Sequence, residues 1–247
     1  MSDKTRIIIS IIVGVCFVLG ASSLGFYFYK TKAPVRTVSV VGLAEQEFVS
    51  DLIVWDFNYK TKDMNQKVAY EQIKKMNDTV KKYLISKGLP EKEIQFQRSQ
   101  CEESYRYEYD REAGRNYSIF QGYEMTQYVR IESKDVEKIE NLYKDIAELL
   151  DEGINVITTG PNYYYTKLAD LKITMLEKAT KDARNRAEAI TKNAGTKIAG
   201  LKVANMGVFQ ITAPNSSDED YSWGGTFNTS SKNKCATINM RLTYFVK

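Results

Sequence analysis

The sequence predicts an α+β fold: a mostly antiparallel sheet with packed amphipathic helices, in the order β-β-α-β-β-α-β-α-β-β, preceded by one transmembrane helix. Three patterns predict it. Apolar and polar residues alternate over 52–60, 94–110, 116–132 and 235–247, apolar residues recur every three or four positions over 69–84, 136–149 and 176–194, and residues 7–29 carry no charge. At 247 residues and 43% hydrophobic content the chain can bury a substantial core, and one main domain is expected.

The elements follow in order. Residues 1–6 form a short basic tail, and 7–29, "IIISIIVGVCFVLGASSLGFYFY", are about 23 residues, enough at 1.5 Å per residue to cross a bilayer core of ~30 Å. The aromatic run Phe26, Tyr27, Phe28, Tyr29, followed by Lys30 and Lys32, reads as an interfacial belt of a retained anchor. A cleaved signal peptide ending near Ala21-Ser22-Ser23 is the competing reading. Ala21 and Gly25 are four apart, a small-xxx-small pair that lets helices approach closely. After a linker at 30–36, the domain is expected to span 37–247. "RTVSVVGLAEQEF" and "DLIVWDFNYK" read as a first hairpin, the second strand alternating Trp55, Phe57 and Tyr59 with Asp56, Asn58 and Lys60.

Ala69, Ile73, Met76, Val80, Tyr83 and Leu84 form a helical stripe that stops at Gly88. Residues 94–110 and 116–132 are a second hairpin turning near Gly114, and Val136, Ile139, Leu142, Ile146 and Leu149 form the next stripe, ending at Gly153. A β-like stretch over 154–168 leads into the third helix. There Leu176, Ala179, Ala183, Ala187, Ile190 and Ala194 share a face whose small side chains permit close helix packing, while pairs such as Lys178 with Asp182 and Arg184 with Glu188 occupy the solvated side. Residues 197–212 and 235–247 close the domain as strands, separated by a polar loop at 214–234.

Charge and composition exclude several function classes. Thirty-five Lys and Arg against 31 Asp and Glu is a mixed, nearly balanced surface, unlike the concentrated positive field that nucleic acid needs, so no nucleic-acid partner is expected. Without histidine the chain lacks the usual general base near neutral pH, the Ser-His and Cys-His pairs, and the commonest metal ligand. No glycine-rich phosphate loop occurs, and the run Asp218, Glu219, Asp220 lacks the alternating ligand spacing of a calcium loop. No catalytic residue, cofactor or metal is expected. Cys101 and Cys235 are either one disulfide, if the domain is exported, or two free thiols.

The strand "VSVVGLAEQEFVSDLIVWDF", the mid-chain "FQGYEMTQYVRIES" and the late helix "LEKATKDARNRAEAITKNAGTKIAGL" resemble the SIMPL-domain (DUF541, YggE-like) family from about Thr37 to Lys247. The resemblance implies a bacterial cell-envelope protein held at the inner membrane with its C-terminal domain exported, of α+β fold, without an established catalytic residue. It also implies a ring-like or channel-like homo-oligomer. Candidate interface or binding residues are Tyr105, Tyr107 and Tyr109 in "YRYEYD", Tyr163, Tyr164 and Tyr165 in "NYYY", and Tyr221, Trp223 and Phe227 in the polar loop, since aromatic rings suit both subunit contacts and sugar stacking. The alternative is a monomeric module that binds a glycan or small ligand on this tyrosine-rich surface.

Overall fold

The computed structural model describes residues 3–31, 36–111, 114–215 and 224–247. Tyr221, Trp223, the acidic run at 218–220 and most of the 30–36 linker lie outside them. The fold is α+β with mostly antiparallel sheet, and the chain divides into two compact units. One comprises Met1–Gly42, Thr180–Asn205 and Met240–Lys247; the other comprises Leu43–Ala179 and Met206–Asn239. The N-terminal helix α1 runs Asp3–Thr31, and its segment Ile11–Tyr29 is long and apolar enough to cross a membrane.

The larger unit is built on a six-stranded antiparallel sheet. Its strands are β2 (Leu52–Asp63), β3 (Ile94–Phe96), β4 (Gln100–Asp110), β5 (Arg115–Ser133), β6 (Val156–Thr158) and β7 (Asn162–Tyr164). On β2 the predicted alternation holds: Trp55, Phe57 and Tyr59 are buried while Asp56 and Lys60 are exposed. Each buried ring removes roughly 150–250 Å² from water, about 4–6 kcal/mol before chain entropy is counted. Helices α2 (Gln66–Ser86) and α3 (Val136–Asp145) cover this face with the stripes read from sequence, Ala69, Ile73, Val80 and Leu84 from one and Val136, Ile139 and Leu142 from the other. Asn65 caps α2 by accepting from the Lys67 amide at 3.0 Å. Gly88, at φ +87°, ends it, with the Leu89 amide donating to the Leu84 carbonyl and the Gly88 amide to that of Ile85.

The strands depart from the sequence reading in two places. The first hairpin does not form: β1 (Thr37–Val49) belongs to a separate sheet, and β2 pairs with β5. In the connection, the Ser50 amide donates to the Lys232 carbonyl and the Asp51 amide to that of Tyr164, so its hydrogen bonds leave for other segments instead of closing a turn. The expected strand 94–110 is broken at 97–99. There Gln127, buried in the apolar row of β5, donates from Nε2 to the Gln97 and Tyr128 carbonyls and accepts at Oε1 from Ser99 Oγ and Asn77 Nδ2. All four hydrogen-bonding positions of its amide are used, which holds the break against β5.

The second sheet has the order β1-β10-β8, with β8 at Ile198–Met206 and β10 at Asn233–Val246; β9 (Gln210–Thr212) pairs with Cys235, Ala236 and Thr237 of β10. Helix α4 (Leu168–Asn193) contributes Ala183 and Ala187, both fully buried, to a cluster with Val40, Leu242 and Tyr244. The small face is as predicted over Ala179, Ala183 and Ala187, but its register differs at both ends. The buried positions run Leu171, Met175, Ala179, Ala183, Ala187, Thr191, strictly four apart, and Ile190 and Ala194 are exposed. Arg184 pairs with Glu188 at 2.8 Å as expected, whereas Asp182 takes Arg186 at 2.8 Å and Lys178 donates to Gln46 at 2.7 Å.

Enlarging the alanine face tests the close packing. Ala183→Leu is expected to lower unfolding free energy by about 1–3 kcal/mol, measured by urea titration, while Ala189→Leu on the exposed side leaves it nearly unchanged.

Candidate interaction surfaces

The most exposed of the tyrosines selected from sequence stand on a two-stranded ribbon. β2 pairs with β5 from Ser133 only as far as Tyr123, whereas β4 pairs with it from Thr126 to Arg115. From Gly122 to Arg115, therefore, β4 is the one strand partner of β5 among the described residues. A bulge opens this ribbon: Ser104 lies across from Gly122 and Tyr105 from Phe120, leaving Gln121 unopposed. Gly122 is required there. Its φ is +104°, and a Cβ would lie 2.5 Å from the Asp63 carbonyl oxygen at the end of β2.

The two faces of the ribbon carry different chemistry. On one, Tyr105, Tyr107 and Tyr109 stand two apart, opposite Phe120, Ser118 and Asn116. Tyr105 meets Phe120 edge-on at 5.5 Å and Phe120 meets Tyr123 at 5.4 Å, while Tyr107 is 76% and Tyr109 63% exposed. On the other face Arg106 pairs with Glu108, whose carboxylate also accepts from Tyr117 Oη at 2.7 Å. That hydroxyl, more than Arg106, holds the Glu108 carboxyl below the usual carboxylate range.

The second tyrosine group is built differently. Tyr163 lies across from Ile53 in β7, and Ile53 lies across from Ser133. The path along β5 from there to Phe120, at ~3.3 Å per residue, is on the order of 40 Å, so the two groups do not form one surface. Tyr163 Oη donates to Glu140 Oε1 at 3.1 Å, and Glu140 Oε2 takes Lys232 Nζ at 2.8 Å. Tyr165 packs its ring on Phe48 at 4.8 Å. Tyr163, Tyr164 and Tyr165 are all half-buried, and Tyr163 packs against the apolar core. Phe227, 47% exposed, forms a parallel bridge with Ile211, tying part of the polar loop to β9.

A further exposed edge was missed at sequence level. Among the described residues β8 pairs with β10 alone, and it carries Leu201 and Val203, 54% and 41% exposed. A groove of about 910 Å³ runs beside it, lined by Arg184, Glu188 and Lys192 of α4 with Ile198, Leu201 and Tyr244. The alternation in "IAGLKVANM" was legible, but nothing in it says that one side lacks a partner. Cys101 and Cys235 are unbonded. Cys101 is exposed near Gln66; Cys235 is buried and donates to Glu45 at 3.2 Å, burial first and Glu45 second pushing its thiol up to about 11. Among the described residues no group of three or more His, Cys, Asp or Glu is placed to hold a metal ion.

The family model of SIMPL, described as a protein of unknown function (DUF541), matches residues 38–232. The chain belongs to the SIMPL family. No curated protein matches it. The SIMPL match takes in the sheet strands through β9, helices α2, α3 and α4, the ribbon and the β8 edge, so these surfaces lie within the family's domain.

Two measurements follow for the SIMPL domain. Burial, then Glu140, pushes the Tyr163 hydroxyl up to about 12, and burial above all pushes Tyr83 to the same value, both from 10.0. Between those values the unfolded chain binds fewer protons than the folded one, so stability present below pH 10 is lost as pH rises toward 12. Thermal melts across that range are expected to fall, and to fall less steeply in Tyr163→Phe. Maleimide is expected to label Cys101 in the native protein and Cys235 only after denaturation; protection of both until a reductant is added would identify a disulfide.

Proposed function

We propose that this SIMPL protein is a non-enzymatic component of the bacterial cell envelope, anchored in the inner membrane by its N-terminal helix, which acts by assembling into a ring-like or channel-like homo-oligomer. The observation that carries this reading is the outer edge of β8, which has no strand partner among the described residues, with Leu201 and Val203 exposed along it. A strand edge presents a row of unmet amide and carbonyl groups, and soluble monomers blunt such edges with charge or proline. Here Lys202 is the one charge and there is no proline.

β1 and β8 are the opposite edges of the order β1-β10-β8. Joining β8 of one copy to β1 of the next is a head-to-tail contact, and repeating it with a constant rotation closes a ring. The anchor favours closure by raising the local concentration of copies at the membrane. Its support is the length and apolar character of Ile11–Tyr29; the envelope setting rests on the family resemblance. The alternative, a monomeric glycan-binding module, has the exposed rings of Tyr107 and Tyr109 in its favour. The separation of the two tyrosine groups confines any such ligand to the ribbon.

Light scattering on the full-length protein in detergent is expected to give a multimeric protein mass. Val203→Lys, which places a charge on the edge, is expected to lower that mass while leaving circular dichroism unchanged. A single-chain mass for the unaltered protein at all concentrations defeats the assembly reading.

A further inference from the structure

We propose that the β4–β5 ribbon is a pairing arm that joins its counterpart on a second copy of this chain, edge to edge through β4, about a two-fold axis at Tyr107. The inference rests on the self-assembly reading and adds a second, isologous contact to it. The arm needs a partner on physical grounds. A two-stranded ribbon is marginal in water, and this one has no further strand partner on either edge among the described residues and exposes Tyr105, Tyr107, Tyr109 and Tyr117.

The sequence of the edge identifies the occupant. When two identical antiparallel strands meet about an axis perpendicular to their sheet, directly opposed residues lie on one face, so each possible centre is a residue of the strand. Centred on Arg106, the pairing sets two guanidinium groups against each other; centred on Glu108, it opposes two carboxylates. Centred on Tyr107, Arg106 of each copy faces Glu108 of the other, Tyr105 faces Tyr109, and Ser104 faces Asp110 at the end of the strand. In that register these charges meet their opposites and the tyrosines meet tyrosines on the other face.

The Arg106–Glu108 ion pair within one strand already holds both groups on the same face, and pairing turns two such ion pairs into a square of alternating charge. The outer edge of β5 has no such code, since Arg115 is the one charge between Arg115 and Gln121. A β4–β4 pair merges two ribbons into a four-stranded sheet, which removes the marginality of each.

Tyr107→Cys reads the contact directly, because the axis brings the two introduced thiols together. In full-length protein in detergent, with the exposed Cys16 and Cys101 replaced by serine, mild oxidation is expected to convert most chains to a covalent dimer. Adding Arg106→Glu is expected to slow cross-linking at least tenfold, and adding Glu108→Arg to that variant restores it. Copies of the double charge reversal and copies with the native charges, distinguished by tag length, are expected to form mixed dimers at less than a tenth of the statistical share. A merely structural ion pair within one strand would let mixed dimers form freely, and that result overturns the proposal. So does absence of cross-linking in Tyr107→Cys when light scattering still shows a multimer, an outcome that leaves the broader assembly reading standing. A single-chain mass for the unaltered protein removes both.

Discussion

The larger unit depends on one strand. β5 supplies the partner for β2, β3 and β4, with eleven consecutive residue pairs, from Ile53 opposite Ser133 to Asp63 opposite Tyr123, formed with β2 alone. Its inner face sets the apolar row of Met125, Val129 and Ile131 against the helices, and the same row carries Gln127. A buried amide in such a row is costly unless fully bonded, and here it is satisfied by a break in the neighbouring strand. The interruption between β3 and β4 and the buried amide of β5 are one structural solution. Beyond Tyr123, where the pairing with β2 ends, β5 continues with β4 as its partner.

Much of this was legible in the amino-acid order. The rings of Trp55, Phe57 and Tyr59, the stripes of α2 and α3, the glycine stops at Gly88 and Gly153, and the small face of α4 are local periodicities, and local periodicity survives folding because it decides which side is buried. Partner choice was not legible. Residues 37–60 read as a hairpin because two strands adjoin, yet the amides of Ser50 and Asp51 bond to Lys232 and Tyr164, far along the chain. The register of α4 shifted for a related reason: Ile190 looks like core by type, but the polar Thr191 occupies the buried position and satisfies itself by donating from Oγ1 to the Ala187 carbonyl.

The candidate residues divided in the same way. Tyrosines 105, 107 and 109 and tyrosines 163–165 look alike in sequence, but the first three are exposed and the second three half-buried. Tyr163 is tied to Glu140 and through it to Lys232, a small clasp that fastens β7 and the approach to β10 onto α3. Tyr107 has nothing comparable, and its ring remains largely in water. How far a tyrosine is covered depends on which distant segments pack against it, which single-sequence patterning does not encode.

The bulge at Gly122 has a consequence for how such domains vary. Because the glycine resets the phase of the strand where β2 ends, the arm beyond it is geometrically modular. Inserting or deleting two residues in each of its strands changes its reach by about 7 Å and returns every side chain to its former face, whereas a change of one per strand exchanges the charged and aromatic sides. Two residues per strand is therefore the smallest step by which the arm can lengthen or shorten with both faces preserved.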